Sequence, residues 1–504
     1  MSKLFGTDGV RGVANKELTP ELALALGHAG ARWFLATFGD APGFIVGQDA
    51  SPEGRGAPGG AIGLGPVITG GMVTITPAPQ RPFVVVGRDS RLSGTMLEGA
   101  TAAGICSAGV DVVSLGLCPT GAVAYLARVT GAVGGIMISA SHNPPEDNGI
   151  KFFTGEGYKL SDDSEDEIEA TVAALGMKGE SASNGKDVTI KAERPDGSAV
   201  GVIINQEALV GHYVDYIRDI VPSKLGGIKV VVDCANGAAS DIAPALFTSL
   251  GAEVSVVNNR PNGININVNS GSTHPDFLAE AVRKLGADLG IAFDGDADRL
   301  IVVDGNGGIL DGDHLMAFCA RGLAARGDLP RQSVVATVMS NLGLERAIND
   351  IGGQLVRCKV GDRYVLETMR AEGITLGGEQ SGHIIFLRHG TTGDGLLTAA
   401  FLLGLLAEKG GTISTVREAM IPVPQVLINT SVDAASKETV LSDPGVISEI
   451  EAVETELGGQ GRLLVRPSGT QPVIRVMLEG DDDSLIKALA QRLVAYIKAN
   501  FGPR

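Results

Sequence analysis

The chain has 504 residues, 44% of them hydrophobic and 20% charged, with a formal net charge of -17. Such a length exceeds one ordinary domain and allows about three to five. The balance of 41 Lys and Arg against 58 Asp and Glu excludes a nonspecific nucleic-acid binder, which needs a basic surface to displace counterions. An anionic small ligand stays compatible if basic residues are gathered locally. The cysteines Cys106, Cys118, Cys234, Cys319 and Cys358 lack zinc-ligand or redox spacing and read as inert thiols of a reducing compartment. No apolar run reaches signal-peptide or membrane length, so the expected location is the cytoplasm, without membrane contact.

The opening Lys3-Leu-Phe-Gly6-Thr-Asp8-Gly9-Val-Arg11-Gly12 is a Gly-rich turn carrying basic charge. Residues 42–82 are dense in Gly and Pro, and 67–76 read as a hairpin on a Gly-Gly turn. A strand from Phe83 leads into a helix over 95–108 and a second strand from Val110. After the strand Gly135-Ile-Met-Ile comes Ser139-Ala-Ser141-His142-Asn143-Pro144-Pro145, then Asp147-Asn-Gly-Ile-Lys151. Phosphoryl transfer needs a nucleophilic oxygen at the end of a rigid element. Ser141 meets that requirement, and Lys151 could supply positive charge or a proton; the same residue types also make an ordinary polar turn. Residues 187–191 and 200–205, around a turn at Pro195, read as a second hairpin. Isolated hairpins are marginal in water, so the two are expected to pair with each other or across a homodimer.

A second strand–helix–strand unit runs through Lys229-Val-Val-Val-Asp, a helix over 242–250 and Glu253-Val-Ser-Val-Val. Leu289-Gly-Ile-Ala-Phe then ends in Asp294-Gly-Asp296-Ala-Asp298-Arg299. Three carboxylates at alternating positions after a buried strand repel one another and call for a cation. All-oxygen ligation suits magnesium with phosphate oxygens, with calcium the competitor; the EF-hand pattern lacks its final Glu and its helical flanks. The third unit has a strand from Ser333, a helix over 343–351 and a strand from Gln354, followed by Lys359-Val-Gly361-Asp362-Arg363. Next, Glu379-Gln380-Ser381-Gly382-His383 offers the mixed donors and acceptors that sugar hydroxyls require, or forms a hairpin turn. Pro422 and Pro424 read as a linker. The remainder is a smaller α+β layer with helices over 448–457 and 484–499. Its Arg466-Pro-Ser468-Gly469-Thr470-Gln471 and Arg475 have the chemistry of a phosphate clamp, with a plain turn as the alternative. No Walker lysine is present, so nucleotide binding is not implied.

Gly6-Thr-Asp-Gly-Val-Arg11-Gly, Ala140-Ser-His-Asn-Pro, Asp294-Gly-Asp-Ala-Asp-Arg299, Gly378-Glu-Gln-Ser-Gly-His383 and Arg466-Pro-Ser-Gly-Thr470, in this order, resemble the α-D-phosphohexomutase superfamily. The resemblance spans nearly the whole chain apart from the two hairpin segments. It implies an α/β fold of three similar domains with mixed sheets plus a smaller C-terminal α+β domain around a central cleft, expected at 1–205, 206–303, 304–421 and 422–504. It also implies an isomerase that moves a phosphate between the 6- and 1-positions of a sugar through a bisphosphorylated intermediate, which primes the phosphoserine. Ser141 matches the phosphoserine and, once phosphorylated, completes the ligand set of one Mg2+ per chain with Asp294, Asp296 and Asp298. Arg11, His142 and Lys151 match residues around the transferring phosphate. Arg299, Lys359, Asp362, Arg363, Glu379 and Ser381 match substrate-binding positions. Arg466, Ser468, Gly469, Thr470 and Arg475 match the site of the distal phosphate. Gln380 and Val360-Gly-Asp-Arg363 are similar to the glucosamine branch, whose reaction feeds UDP-N-acetylglucosamine synthesis; the alternative is a glucose- or mannose-phosphate mutase of the same fold. A phosphatase and a non-catalytic sugar-phosphate sensor are the further rivals. Gln471 stands where the family has Glu, and Gly121 where it has a small residue or Pro.

Overall fold

Buried β-branched runs seed the sheets. The computed structural model describes residues 3–6, 8–39, 73, 75, 79, 81–176, 194–434, 436–437, 439–468 and 472–503, and has four sheets. In the first unit Phe83–Arg88 lies parallel to both Asp111–Leu117 and Gly134–Ile138. Its Val84, Val85 and Val86 have no exposed surface, as befits a strand covered on both faces. Asp147–Thr154 and Val10–Val13 extend the sheet antiparallel to their neighbours. In the second unit Lys229–Asp233 pairs in parallel with Glu253–Val257 and Leu289–Phe293, and Leu300–Asp304 and Ile309–Leu310 add antiparallel strands. The third unit sets Ser333–Thr337 parallel to Gln354–Cys358 and Leu376–Gly378, with Ile384–Phe386 antiparallel. All three sheets are therefore mixed. The fourth, of Gln425–Ser431, Val473–Gly480 and Gly461–Pro467, is antiparallel throughout.

Helices Gly94–Ser107, Ile242–Ser249, Leu342–Asp350 and Asp483–Phe501 lie within two residues of the ranges read from periodicity. The helix expected from Ser448 instead spans Pro444–Leu457. Asp443 accepts from the N–H groups of Gly445 and Val446, and Pro444 occupies the first turn, so the cap starts the helix before its apolar period becomes visible. The first expected hairpin, 67–76, lies outside the described residues except at 73 and 75. Of the second, 187–191 lies outside them, and the other arm is described. Ile203–Asn205 is the sixth strand of the first sheet, parallel to Asp111–Leu117. The second sheet also runs to Leu310, past the expected boundary at 303, because Asp304 Oδ1 accepts from Asn306 and Gly308 N–H groups and turns the chain back.

One continuous apolar core joins the first three units, from Val85 through Phe247 to Leu402. The fourth has its own core around Val453, Val476 and Leu493. It meets the third unit through a buried polar knot beside Pro422 and Pro424. Glu479, with no exposed surface, accepts from Asn341 Nδ2 (3.1 Å), Leu342 N (3.3 Å), Gln425 Nε2 (3.0 Å) and Arg462 Nε (2.8 Å). Asn341 Nδ2 also donates to the Val423 carbonyl (3.0 Å), and Val423 N donates to Asn341 Oδ1 (2.9 Å). Among the described residues, no helix is long and apolar enough to cross a membrane.

Where the first three units meet, Tyr125 stacks on Tyr216 at 4.8 Å, and the Tyr216 hydroxyl donates to the His389 carbonyl at 3.0 Å. Burial, then Arg388, pushes the His389 imidazole from 6.5 down to about 4. The folded chain therefore keeps this ring neutral while the unfolded chain protonates it. No penalty exists well above pH 6.5; it grows as pH falls toward 4, to on the order of 1–2 kcal/mol after allowance for partial exposure. Thermal unfolding of His389→Gln between pH 7 and 4.5 should show a flatter acid limb than the parent. Parallel limbs would refute this.

Candidate active site

The strand Gly134–Ile138 delivers Ser139–Ser141 to the edge of the second unit. Ser141 has φ +52°, a left-handed conformation costing roughly 1–2 kcal/mol for a residue with a Cβ, so its neighbours must hold it. Its carbonyl oxygen accepts from Arg91 Nη2 and from Asn267 Nδ2, both at 2.9 Å. The Asn143 carbonyl accepts from the same two groups at 2.9 and 3.1 Å. Arg91 also donates to the carbonyls of Pro144 and Asp147, and its Nε pairs with Asp89 at 2.9 Å. Asp89 accepts from Ser139 Oγ at 2.7 Å, and that oxygen accepts from Ser141 N at 2.8 Å. So constrained, Ser141 Oγ donates to Asp294 Oδ2 at 2.6 Å and lies 3.3 Å from His142 Nδ1. The sequence reading misses Arg91, Asp89 and Asn267. The charged run Arg88-Asp89-Ser-Arg91 after a buried strand is a signal for the first two; Asn267 has none.

Asp294, Asp296 and Asp298 are all buried, with one carboxylate oxygen from each within 4.8 Å of the others. Burial, then Asp298 and Asp296, raises Asp294 well above the ordinary carboxylate range. Burial would raise Asp296 too, but Lys151 outweighs it and holds that group below the range. Asp296 Oδ1 and Asp298 Oδ1 are buried without a hydrogen-bond partner. Buried oxygens left in this way cost free energy that a hard cation would recover, so the donor set fits a magnesium-type ion. Gly295, between the first two aspartates, is dictated by space: a Cβ there would sit 2.6 Å from the Ser141 carbonyl oxygen. Gly121 has a similar reason, because its Cβ would run into the Asp394 carboxylate.

Alternating charges lead from these aspartates into the third unit. Lys151 Nζ lies 2.8 Å from Asp296 and 3.1 Å from Asp8. Lys159 donates to Asp8 and to Asp362, and Asp362 is 3.5 Å from His383 Nε2. Burial would lower Lys151, but Asp296, Asp8 and Asp298 outweigh it and raise the ammonium above its ordinary range. Burial would raise Asp8, yet Lys151, Lys159 and Arg11 hold it well below the ordinary range. His142 goes the other way: burial, then Arg299 and Arg11, pushes it down to about 4, leaving a neutral ring. Lys159, which the sequence reading also misses, ties the first unit to the third. Lys159→Met takes from Asp362 and Asp8 the cation they share, although Asp8 keeps Lys151 and Arg11, and is expected to lower kcat/KM roughly tenfold to a hundredfold, with Lys159→Arg recovering most of the loss. An unchanged kcat/KM in Lys159→Met would show the tie to be dispensable.

A cavity of about 520 Å³ opens over this network, lined by Arg11, His142, Asp298, Arg299, Asp362 and Glu379 among others. Arg299 N donates to Asp294 Oδ1 at 3.1 Å. Glu379 accepts from Gly361 N at 3.1 Å and from Ser381 Oγ at 3.5 Å, which links two loops of the third unit. His383 is buried, and neither ring nitrogen has a hydrogen-bond partner. Arg363 and Lys359, expected to bind substrate, do not line this cavity. Arg363 turns to Asp162 and Glu165 of the first unit, the latter at 2.7 Å, because those carboxylates offer a buried guanidinium its countercharge. Lys359 is exposed, its ammonium 5.7 Å from the centre of the Tyr364 ring. In the fourth unit Arg466 and Arg475 are directly paired across neighbouring strands. Like charges so placed repel; burial and then Arg475 lower Arg466, and Arg475 Nε is buried without a partner. Ser468 is buried beside them, and Gly469, Thr470 and Gln471 lie outside the described residues. No described residue of the fourth unit lines the cavity.

Four domain descriptions match the chain in order. Phosphoglucomutase/phosphomannomutase alpha/beta/alpha domain I covers residues 2–58 and 68–178, domain II 211–308, domain III 311–423, and the C-terminal domain 427–495. The chain belongs to the phosphoglucomutase/phosphomannomutase family. Among relatives of this family member, a phosphoglucosamine mutase of Thermoanaerobacter sp. (strain X514) is 46% identical over 99% of both chains. One of Clostridium acetobutylicum is 45% identical over 99% of this chain and 100% of its own. A crystal structure of a phosphoglucomutase/phosphomannomutase family protein from Burkholderia thailandensis aligns over 99% of this chain and 98% of its own, with TM-score 0.75 and 24% identity. That last likeness speaks for the fold alone, α/β with four family domains.

Proposed function

We propose that this family member is a phosphoglucosamine mutase, an isomerase interconverting glucosamine 6-phosphate and glucosamine 1-phosphate through a phosphoserine at Ser141 and a bisphosphorylated sugar. The carrying observation is Ser141 Oγ aimed at Asp294 from 2.6 Å, in a chain whose full-length relatives bear that name. Those relatives favour this reading over a glucose- or mannose-phosphate mutase. Asp294, Asp296, Asp298 and a phosphate on Ser141 would hold one magnesium ion, which when bound neutralises charge on the transferring group. In the first transfer the bond from phosphorus to Ser141 Oγ breaks, a bond to a sugar hydroxyl oxygen forms, and the hydroxyl proton ends on Oγ. The bisphosphorylated sugar then turns over and returns its other phosphate to Ser141. The Lys151 ammonium and Arg11 offset charge beside the transferring group. Glu379, with Ser381 on the same loop, reads sugar hydroxyls, and the Arg466 and Arg475 pair takes the distal phosphate once the fourth unit closes on the cavity.

Turnover of glucosamine-, glucose- and mannose-phosphates is to be compared, with magnesium and a bisphosphorylated sugar present. The glucosamine isomer should form fastest, without free phosphate, and chelation should stop the reaction until magnesium is restored. Faster turnover of another hexose phosphate, or inorganic phosphate without isomer, overturns the assignment.

A further inference from the structure

We infer that Asn267 is a positioning residue that holds the Ser141 loop in register with the aspartate loop whether or not Ser141 carries phosphate; this rests on the phosphoserine reading above. The second unit grips the Ser141 loop at two kinds of point. One is the hydrogen bond from Ser141 Oγ to Asp294, and a phosphate on Oγ removes the proton that makes it. The other is the Asn267 amide, which donates to the backbone carbonyls of Ser141 and Asn143 at 2.9 and 3.1 Å. Phosphorylation changes neither carbonyl, so only the second grip survives the whole cycle.

The amide is built in. Asn267 is 7% exposed, its own N–H donates to the Ala235 carbonyl at 2.9 Å, and its backbone is left-handed at φ +60°. A Cβ on Gly295 would lie 2.6 Å from the Ser141 carbonyl and 2.9 Å from Asn267 Nδ2, so the aspartate loop is packed directly on this contact. Arg91 donates to the same two carbonyls from within the first unit. Arg91 therefore shapes the loop, and Asn267 fixes where the loop sits relative to Asp294, Asp296 and Asp298. Transfer between aligned oxygens is sensitive to displacements of about 1 Å, whereas sugar binding draws on residues of the cavity.

Two variants separate the amide from its backbone. Asn267→Gly accepts φ +60° without strain but has no amide. Asn267→Asp keeps the shape but turns a carboxylate oxygen toward two carbonyls. The full-length enzyme, primed with glucosamine bisphosphate, is mixed with glucosamine 6-phosphate, and loss of phosphate from Ser141 is followed by quenched intact mass. Both variants are expected to transfer about a hundredfold more slowly than the parent, with KM within about twofold. A merely structural role would lower the melting temperature and the reacting fraction and leave the rate per reacting site unchanged. Transfer by either variant at the parent rate overturns the inference. A parent enzyme that is an active mutase yet never carries phosphate on Ser141 overturns the phosphoserine reading itself, and this inference with it.

Discussion

Ser141→Ala is expected to lose mutase turnover by on the order of a millionfold, as when a covalent nucleophile is deleted elsewhere, while sugar-phosphate affinity changes by less than about threefold. The loop that presents residue 141 is held through its carbonyl oxygens by Arg91 and Asn267, and neither bond needs the hydroxyl. Alanine meets the same left-handed φ as serine, so the backbone has no new reason to move. What is lost is the hydroxyl poised on Asp294, together with the 2.6 Å hydrogen bond that it donates. A coupled assay of glucosamine 1-phosphate formation, paired with calorimetric titration of glucosamine 6-phosphate, reads both quantities. Turnover within a hundredfold of the parent would sink the nucleophile assignment, and so would phosphate mapped to another residue.

The largest effect on stability is expected from Arg91→Met. The Arg91 side chain and its partner Asp89 have no exposed surface, and the guanidinium serves four backbone carbonyls at once. Burial already raises the Asp89 carboxyl against the pull of Arg91. Without the cation, a buried carboxylate and several carbonyls lose their partners, a class of change costing about 3–5 kcal/mol. Arg91→Lys keeps the charge but not the fork, and should recover only a minor part. The chain's single tryptophan, Trp33, packs edge-on against Phe34 in the first unit and is a built-in reporter. Urea titration of its fluorescence should show the first unit unfolding at clearly lower urea in both variants. A midpoint equal to the parent's in Arg91→Met would mean that the loop carbonyls find other donors.

The residues that turned out to be legible share a property: their chemistry is visible in a short stretch. Ser141 stands beside turn-forming neighbours, the three aspartates alternate with Gly and Ala, and the strands announce themselves as β-branched runs. Lys159 and Asn267 are of another kind. Lys159 meets Asp362 across 203 positions and Asn267 meets Ser141 across 126, so no local window contains the reason for either. The same physics redirected Arg363, which has Asp362 for a neighbour in sequence but Asp162 and Glu165 for partners in space. Ile203–Asn205 falls within the extended stretch read at 200–205, but its parallel pairing with the distant Asp111–Leu117 has no local signal. The boundary at 303 missed Ile309–Leu310 because a two-residue strand follows from the Asp304 turn and not from its own composition.

The polar knot around Glu479 also sets a mechanical ratio for the enzyme. Glu479 and Arg475 lie on the same strand, Val473–Gly480, one fixed against Asn341 and the other paired with Arg466. Four residues of extended chain make a lever of about 13 Å between fulcrum and clamp. A swing of about 10° at the knot carries the arginines through roughly 2 Å, while the bonds at the fulcrum need stretch by only a few tenths of an ångström. If the arginine pair takes the distal phosphate as proposed, reach toward it would be gained at the far end of a strand whose near end hardly moves.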